Sequence, residues 1–280
     1  MPLVTVVIPT YNRSHVLERA LQSVLVQTLK DFELIVVDDG STDYTGELLS
    51  GYENKLKVFS QENRGVSAAR NLGILHSQGE LIAFLDSDDE WLPTKLERQI
   101  ALFDPTKSCF VCHTDETWLK DGREVPQKKI HRKQGGFFFE RALERCLISP
   151  SAVVMSRALL DRVGWFDECL PAAEDYDLWL RVTAFHEVDF VPKPLVIKHG
   201  GGHDQLSRVV PAIDRFRIEA IIKILDVADL PDDYRGAAVK KLVCKCRIVA
   251  AGLARRGKTQ EAATYYELAG FHQALCFGSK

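Results

Sequence analysis

Read from its amino terminus, the chain alternates short apolar runs with amphipathic stretches. Val4-Thr5-Val6-Val7-Ile8, Leu34-Ile35-Val36-Val37 and Leu81-Ile82-Ala83-Phe84-Leu85 are rich in β-branched and apolar residues and too short for helices. Residues 56–59 form a shorter run of the same kind. Between the first two, Val16, Leu17, Ala20, Leu21, Val24 and Leu25 recur at helical spacing behind Ser14, a residue suited to an N-cap. Residues 44–52 and 66–77 are the next expected helices. Strands apolar on both faces and separated by helices predict a parallel sheet between helical layers. Three of these strands run into polar turns, at residues 9–13, 38–43 and 86–89. In parallel sheets ligands bind beyond the carboxyl ends of the strands, so these turns are where a site is expected.

From about Cys109 to His203 the pattern loses its regularity. Asp121-Gly122 predicts a hairpin turn between Thr117-Trp118-Leu119 and Glu124-Val125. Residues 127–133 are basic and expected in an exposed loop, while 139–146, 157–163 and 177–185 read as short helices. Beyond Gln205 the chain turns helical. Val239, Leu242, Val243, Cys246, Val249, Ala250 and Leu253 mark one amphipathic helix, Arg256-Gly257-Lys258 a turn, and residues 261–268 a second helix. This hairpin resembles a single tetratricopeptide unit, which cannot bury its own face. It is therefore expected to pack on the preceding domain or to form a homodimer contact. The expected division is a main domain over residues 1–208 and a helical extension over 209–280.

Composition narrows the picture. With 280 residues, 46% apolar and 27% charged, the chain has the make-up of a soluble globular protein with one large core. A formal net charge of −3 supplies no global attraction to polyanions, so no nucleic-acid partner is expected. No apolar run reaches the roughly 18–20 residues of a spanning helix. The first residues read as a strand and not as a signal peptide. A cytoplasmic location is expected, and seven cysteines without regular spacing form no disulfide framework. Cys109-Phe110-Val111-Cys112-His113 matches a haem-attachment pattern. It reads better as a buried strand in which cysteine acts as a small hydrophobe.

Two acidic clusters carry candidate chemistry. Asp86-Ser87-Asp88 sets two carboxylates one residue apart at a strand end, oxygen donors that suit Mg2+ or Mn2+ completed by water and phosphate. A solvated acidic turn leading into Glu90-Trp91-Leu92-Pro93 is the alternative. So many carboxylates on one edge would repel each other, which favours a bound cation or cationic ligand. In Ala172-Ala173-Glu174-Asp175-Tyr176-Asp177, with Asp177 expected to open a helix, Glu174 and Asp175 sit in its approach. There peptide N–H groups and the helix dipole favour anions. A carboxylate so held suits a general base that reaches a substrate hydroxyl. Acidic residues decorating a helix start are the alternative reading.

Together with Val6-Val7-Ile8-Pro9-Thr10-Tyr11-Asn12-Arg13, Ile35-Val36-Val37-Asp38-Asp39-Gly40-Ser41-Thr42-Asp43, Asn63-Arg64-Gly65-Val66-Ser67-Ala68-Ala69-Arg70-Asn71-Leu72-Gly73 and Gly164-Trp165-Phe166-Asp167-Glu168, these clusters resemble family 2 glycosyltransferases. The resemblance covers about residues 1–208. It implies the α/β GT-A fold, a Rossmann-like, mostly parallel sheet flanked by helices, here with a small C-terminal helical extension. It also implies an inverting hexosyltransferase that moves a sugar from a nucleotide-diphosphate sugar, a UDP-sugar, to an acceptor hydroxyl. Pro9, Thr10, Tyr11 and Arg13 would hold the nucleotide, with Tyr11 beside the base and Arg13 answering phosphate charge. Asp39 would accept from the base ring N–H, a pairing that favours uracil or thymine. Gly65 and Ser67 would permit close approach, and Arg70 would lie near the ribose or phosphates.

Asp86, with Ser87, would serve the ribose side and share in the metal site, where Asp88 is the direct ligand of Mg2+ or Mn2+. Asp175 would be the catalytic base and Glu174 its positioner. His199 and His203 fall where relatives place a phosphate- or metal-contacting residue on a mobile loop, and His199 joins the metal set. The implied partners are a nucleotide-sugar donor and a saccharide, lipid-linked or other hydroxyl acceptor. Polysaccharide biosynthesis and a peripheral position at the inner face of a membrane follow by analogy. A nucleotidyltransferase would carry a Gly-rich phosphate loop after the first strand, and a dinucleotide-dependent oxidoreductase a Gly-x-Gly-x-x-Gly; the chain has neither. A non-catalytic nucleotide-sugar-binding or scaffold protein of the same fold is the remaining alternative.

Overall fold

The structure, a computed structural model, describes residues 1–107, 109–200 and 212–277. Its contacts divide the chain into two units. The first comprises Met1–Phe137, Leu147–Cys169 and His186–Gly202; the second comprises Phe138–Cys146, Leu170–Phe185 and His203–Lys280. The boundary expected after residue 208 lies outside the described residues. The contacts also give the helical unit two segments from earlier in the chain.

The first unit holds a nine-stranded sheet. Its strands are β1 (Val4–Thr10), β2 (Phe32–Asp38), β3 (Lys57–Ser60), β4 (Leu81–Phe84), β5 (Glu90–Trp91), β6 (Val111–Lys120), β7 (Arg123–Glu124), β8 (Val153–Ser156) and β9 (Asp189–Gly200). They lie in the order β3-β2-β1-β4-β8-β6-β9-β5, with β7 on β6. The first four are mutually parallel. β8 runs antiparallel to both β4 and β6, while β6 and β9 are parallel to each other. Strand order reverses between β1 and β4, which opens a crevice at their carboxyl ends.

In chain order the described helices are α1 (Ser14–Leu25), α2 (Thr45–Ser50), α3 (Val66–His76), α4 (Lys95–Ile100), α5 (Phe139–Glu144), α6 (Arg157–Val163), α7 (Glu174–Thr183), α8 (Asp214–Leu225), α9 (Asp232–Ala254) and α10 (Thr259–Phe277). α1–α4 and α6 belong to the sheet unit. Helix α1 buries Leu17, Ala20, Leu21 and Val24 in one cluster with Val6, Ile8, Leu34, Val36 and Leu81. Each large side chain so buried contributes roughly 1.5–3 kcal/mol. Helix α3 packs Ala69 with Ile35 and Val37. It lies close on β1 because residue 73 is glycine: a Cβ there would stand 2.3 Å from Val7 Cγ1.

Three local expectations are corrected. Ser14 does not cap α1; Arg13 holds the N-cap position, and the Ser14 N–H and hydroxyl both donate to Asp43 Oδ2, at 3.1 and 2.8 Å. The basic stretch 127–133 is not wholly an exposed loop. It contains a 3-10 turn at Lys129–His131, and Lys133 is buried with its Nζ 2.6 Å from Glu116 Oε1. Glu116 is itself buried on β6, and a buried carboxylate needs a counter-charge. The Asp121-Gly122 turn forms as expected, with both residues in the left-handed region at φ 51° and 75°. Cys112 is fully buried in β6, and burial pushes its thiol up to about 12, the state of an inert core residue.

In the helical unit, Val239, Leu242, Val243, Cys246, Val249, Ala250 and Leu253 are all buried on α9. The third correction concerns α7, which opens at Glu174 and not at Asp177, after Ala173 in the left-handed region at φ 61°. Asp177 is instead turned inward. Lys223 Nζ stands 2.7 Å from its Oδ1 and Arg181 Nη2 2.9 Å from its Oδ2. Among the described residues no helix is long and apolar enough to cross a membrane.

Candidate active site

The turns after β1, β2 and β4 are cross-linked into one edge of the sheet. Asn12, in the left-handed region at φ 52°, donates its N–H to Ser41 Oγ at 2.8 Å. Its Oδ1 accepts from the N–H of Thr42 at 2.8 Å and of Asp43 at 3.3 Å. Asn12 thus joins the first two turns. It had no role assigned from sequence, although asparagine is the residue that both tolerates this conformation and bonds neighbouring backbone. Asp39, almost fully buried, accepts three bonds: Gln61 Nε2 at 2.6 Å and the Arg64 N–H at 2.9 Å on Oδ1, and the Gly65 N–H at 2.9 Å on Oδ2. Its carboxylate therefore shapes the entry to α3 before it meets any ligand. Of about four lone-pair sites, one remains on Oδ2 for a base N–H. Gly65 at φ 90° makes the turn into α3.

Thr10 and Ser67 are buried, and among the described residues neither hydroxyl has a hydrogen-bond partner. Buried hydroxyls without partners are costly and point to a missing ligand or water. Tyr11 is 46% exposed beside them. Arg70 is buried on α3 and donates from Nη2 to Asp86 Oδ1 at 2.7 Å.

The acidic turn after β4 is neutralised unevenly. Ser151 bridges it, accepting the Asp86 N–H at 3.1 Å and donating to Asp89 Oδ2 at 2.5 Å. Lys198 Nζ lies 3.2 Å from the same Asp89 oxygen. Burial opposes the ionisation of Asp86, but the charges of Arg70 and Lys198 and the bonds from Arg70 and Ser151 hold its carboxyl below the usual range. Burial, with Asp86 and Asp88 adding repulsion against the pull of Lys198, pushes Asp89 up to about 7. Although burial works against its charge, Asp89, Glu116 and Asp86 hold Lys198 above its ordinary range. Ser87 is buried between the aspartates.

Asp88 differs from its neighbours. Its side chain is 22% exposed, close to the 25% of Asp86, but its carboxylate has among the described residues one ion-pair partner, Arg13 Nη1 at a loose 3.8 Å. Its backbone carbonyl is fixed by Arg19 Nη2 at 2.8 Å. The acidic edge is therefore not left for an external cation to neutralise, as the repulsion argument expects. Arg70 and Lys198 answer Asp86 and Asp89 from within the chain, and Asp88 keeps oxygen lone pairs to offer. No group of three or more His, Cys, Asp or Glu converges as a metal cage among the described residues. A hard cation held by one carboxylate or two, with phosphates and water completing its shell, fits this donor set.

His199 is not on a loop. It lies in β9 opposite Leu119, and its Nε2 is 3.3 Å from Glu90 Oε2. His203 lies outside the described residues. Lys198 and Ser151, both central to the acidic turn, were assigned no role from sequence. A lysine closing the apolar run Leu195-Val196-Ile197 was the one available signal for Lys198.

In the helical unit, Glu174 is buried in the first turn of α7 and Asp175 is partly exposed beside it. Asp175 Oδ2 lies 3.2 Å from Cys146 Sγ. Burial and the charge of Asp175 hold that thiol well above its usual range, so it stays protonated and donates. The Tyr176 hydroxyl donates to the Leu143 carbonyl at 2.7 Å, tying α7 to α5.

The family model for glycosyl transferase family 2 matches residues 5–164. The chain belongs to this family. An uncharacterised glycosyltransferase of Rickettsia typhi is 31% identical over 206 residues, 70% of this chain and 63% of that protein. The chain thus spans less than two thirds of that relative's length. The UDP-Glc:alpha-D-GlcNAc-diphosphoundecaprenol beta-1,3-glucosyltransferase WfgD of Escherichia coli is 34% identical over 194 residues, 68% of this chain and 73% of that protein. Among solved structures, S. aureus TarS 1-349 in complex with UDP-GlcNAc superposes with a TM-score of 0.69 at 21% identity, covering 95% of this chain and 91% of that one. The α/β GT-A arrangement expected from the family 2 resemblance is the fold found.

Proposed function

We propose that the chain is an inverting glycosyltransferase that moves a sugar from a UDP-sugar to an acceptor hydroxyl. One observation carries the reading: at the switch point of the sheet, Asp88 alone of three neighbouring carboxylates has no close ion pair among the described residues, its Arg13 partner standing 3.8 Å away, beside the Arg70–Asp86 pair and two buried hydroxyls that have no partner among the described residues. Pro9, Thr10, Tyr11, Arg13, Asp39, Gly65, Ser67, Arg70, Asp86 and Ser87 form the nucleotide site on this reading. The uridine class is supported by the 34%-identical relative whose name gives UDP-Glc as donor, and the same name supports a lipid-diphosphate-linked saccharide as acceptor. Such an acceptor would bring the protein to a membrane face.

Asp175 would accept the proton of the acceptor hydroxyl, with Glu174 positioning it. The acceptor oxygen then forms its bond to the anomeric carbon as the bond to the diphosphate breaks, the electron pair leaving with UDP. One displacement from the opposite face inverts the anomeric centre. Asp88, with Asp86 beside it, would hold a divalent cation that supplies charge neutralisation to the departing diphosphate. His199, paired with Glu90, is left outside this set.

The test is paired. Asp175→Asn should abolish sugar transfer while leaving UDP affinity near the parent value, and retained turnover removes Asp175 from its role. Asp88→Ala should weaken UDP binding in Mg2+ or Mn2+ and leave it little changed in chelator. Calorimetry showing UDP binding indifferent to both metals and to chelator in the parent protein ends the cation assignment.

A further inference from the structure

The segment Gly164-Trp165-Phe166-Asp167-Glu168 belongs to the family pattern but supplies none of the residues of the candidate site. It is fastened to α3 at two points. Asn71, the residue after Arg70, closes a pair of bonds on the backbone of Phe166: Nδ2 donates to the carbonyl at 2.9 Å, and the Phe166 N–H donates to Oδ1 at 3.1 Å. The same Nδ2 lies 3.0 Å from Glu168 Oε1, and Arg64 Nη2 donates to Glu168 Oε2 at 2.7 Å. Gly164, at φ 85°, turns the chain out of α6 into this segment.

The fastening fixes where the Phe166 ring lies. The ring is buried, with its centroid 5.0 Å from the Arg70 guanidinium carbon. It also meets the Phe84 ring edge-on, with centroids 5.2 Å apart and planes at 85°. Phe84 ends β4, two residues before Asp86. Phe166 therefore touches both elements that bring Arg70 and Asp86 together. An aromatic face against a buried guanidinium both attracts its charge and limits where its planar fork can point.

We propose that Phe166, held by the Asn71 clip, is a positioning residue for the nucleotide site: it sets the Arg70 guanidinium in register with Asp86. The inference rests on the reading of Arg70 and Asp86 as nucleotide contacts. Leucine at 166 fills similar apolar space without a π face, whereas tyrosine keeps the face. Phe166→Leu should weaken UDP binding by about tenfold and raise the donor KM in proportion, with kcat at saturating donor within about threefold of the parent. Phe166→Tyr should restore affinity. Glu168→Gln, at the exposed end of the fastening, should weaken UDP binding by a smaller factor with Tm unchanged, and it remains measurable if Phe166→Leu fails to fold.

Arg70→Ala separates the positioning role of Phe166 from the nucleotide site it serves. If Arg70→Ala weakens UDP binding while Phe166→Leu and Glu168→Gln lower only Tm, the positioning role is overturned and the nucleotide site stands. If Arg70→Ala also leaves UDP affinity at the parent value, the reading of Arg70 beneath it fails.

Discussion

The two halves of the sheet are built from different material. In the parallel half, β3-β2-β1-β4, the central strands bury Val6, Val7, Ile8, Ile35, Val36, Val37 and residues 81–84, with Thr5 the one buried polar residue short of their carboxyl-end residues Thr10 and Asp38. In the mixed half, β6 alone buries His113, Thr114 and Glu116. Around Glu116 gather Lys133, the Ser149 hydroxyl and the indole N–H of Trp118, the last at 3.0 Å. Lys198 on β9 extends this network to Asp89 in the acidic turn. The parallel half is a scaffold held by area removed from water, whereas the mixed half is held by matched charges. A buried ion pair adds little net stability over apolar packing, but it fixes where its members can sit. Here it fixes the underside of the turn that carries Asp88.

That contrast can be broken most directly at its centre. Lys133→Met leaves the Glu116 carboxylate buried without its nearest counter-charge and should cost about 3–5 kcal/mol, read as a fall in Tm; adding Glu116→Leu should recover most of the loss. A single variant as stable as the parent would mean that Lys133 is not needed to neutralise Glu116.

The second effect is one of pH. Burial, reinforced by the Lys133 charge, pulls His113 down to about 3. Burial opposes the Glu116 charge, yet Lys133 and Lys198 bring its carboxyl down to about 2. Both groups bind protons more readily in the unfolded chain. The His113 contribution is therefore complete above about pH 6.5 and is lost as pH falls toward 3; the Glu116 contribution is lost from about 4.5 toward 2. Urea midpoints should drop between pH 7 and 4 by the equivalent of roughly 2–4 kcal/mol, and His113→Gln should flatten that limb. An equal slope in the variant would show that His113 is not the group being charged.

The smallest expected effect lies in the parallel half. Gly73→Ala drives a methyl against Val7 and should cost roughly 1–3 kcal/mol, with the same penalty at pH 5 and pH 7. A pH-dependent penalty would erase the distinction between the two halves.

The parallel half was legible because its signals are local. Uninterrupted apolar runs mark β1, β2 and β4, the 3.6-residue period marks α1, and Asp121-Gly122 marks the β6–β7 turn. α7 was displaced by three residues because Glu174 and Asp175 look like an approach to a helix, while the left-handed Ala173 that starts it carries no composition signal. Strands β8 and β9 went unread. Each is short or polar-interrupted, and each is a strand only because neighbours supply its hydrogen bonds.

The candidate site divides along the same line. The sequence by itself determined which residues stand at the carboxyl ends of the strands, since strand, turn and motif are read from neighbours along the chain. Thr10, Asp39, Asp86 and Asp88 stand in those turns, whereas Arg70, on α3, was named from the family resemblance. Only the tertiary structure decided their states. Arg70 closes on Asp86, Lys198 and the Ser151 hydroxyl both close on Asp89, and Asp39 holds the loop before α3, which leaves Asp88 as the carboxylate of the acidic turn with only a loose ion pair among the described residues. The physical reason is that charge and hydrogen-bond balance depend on distance in space. Partners remote in sequence meet only when the sheet brings β4, β6, β8 and β9 side by side.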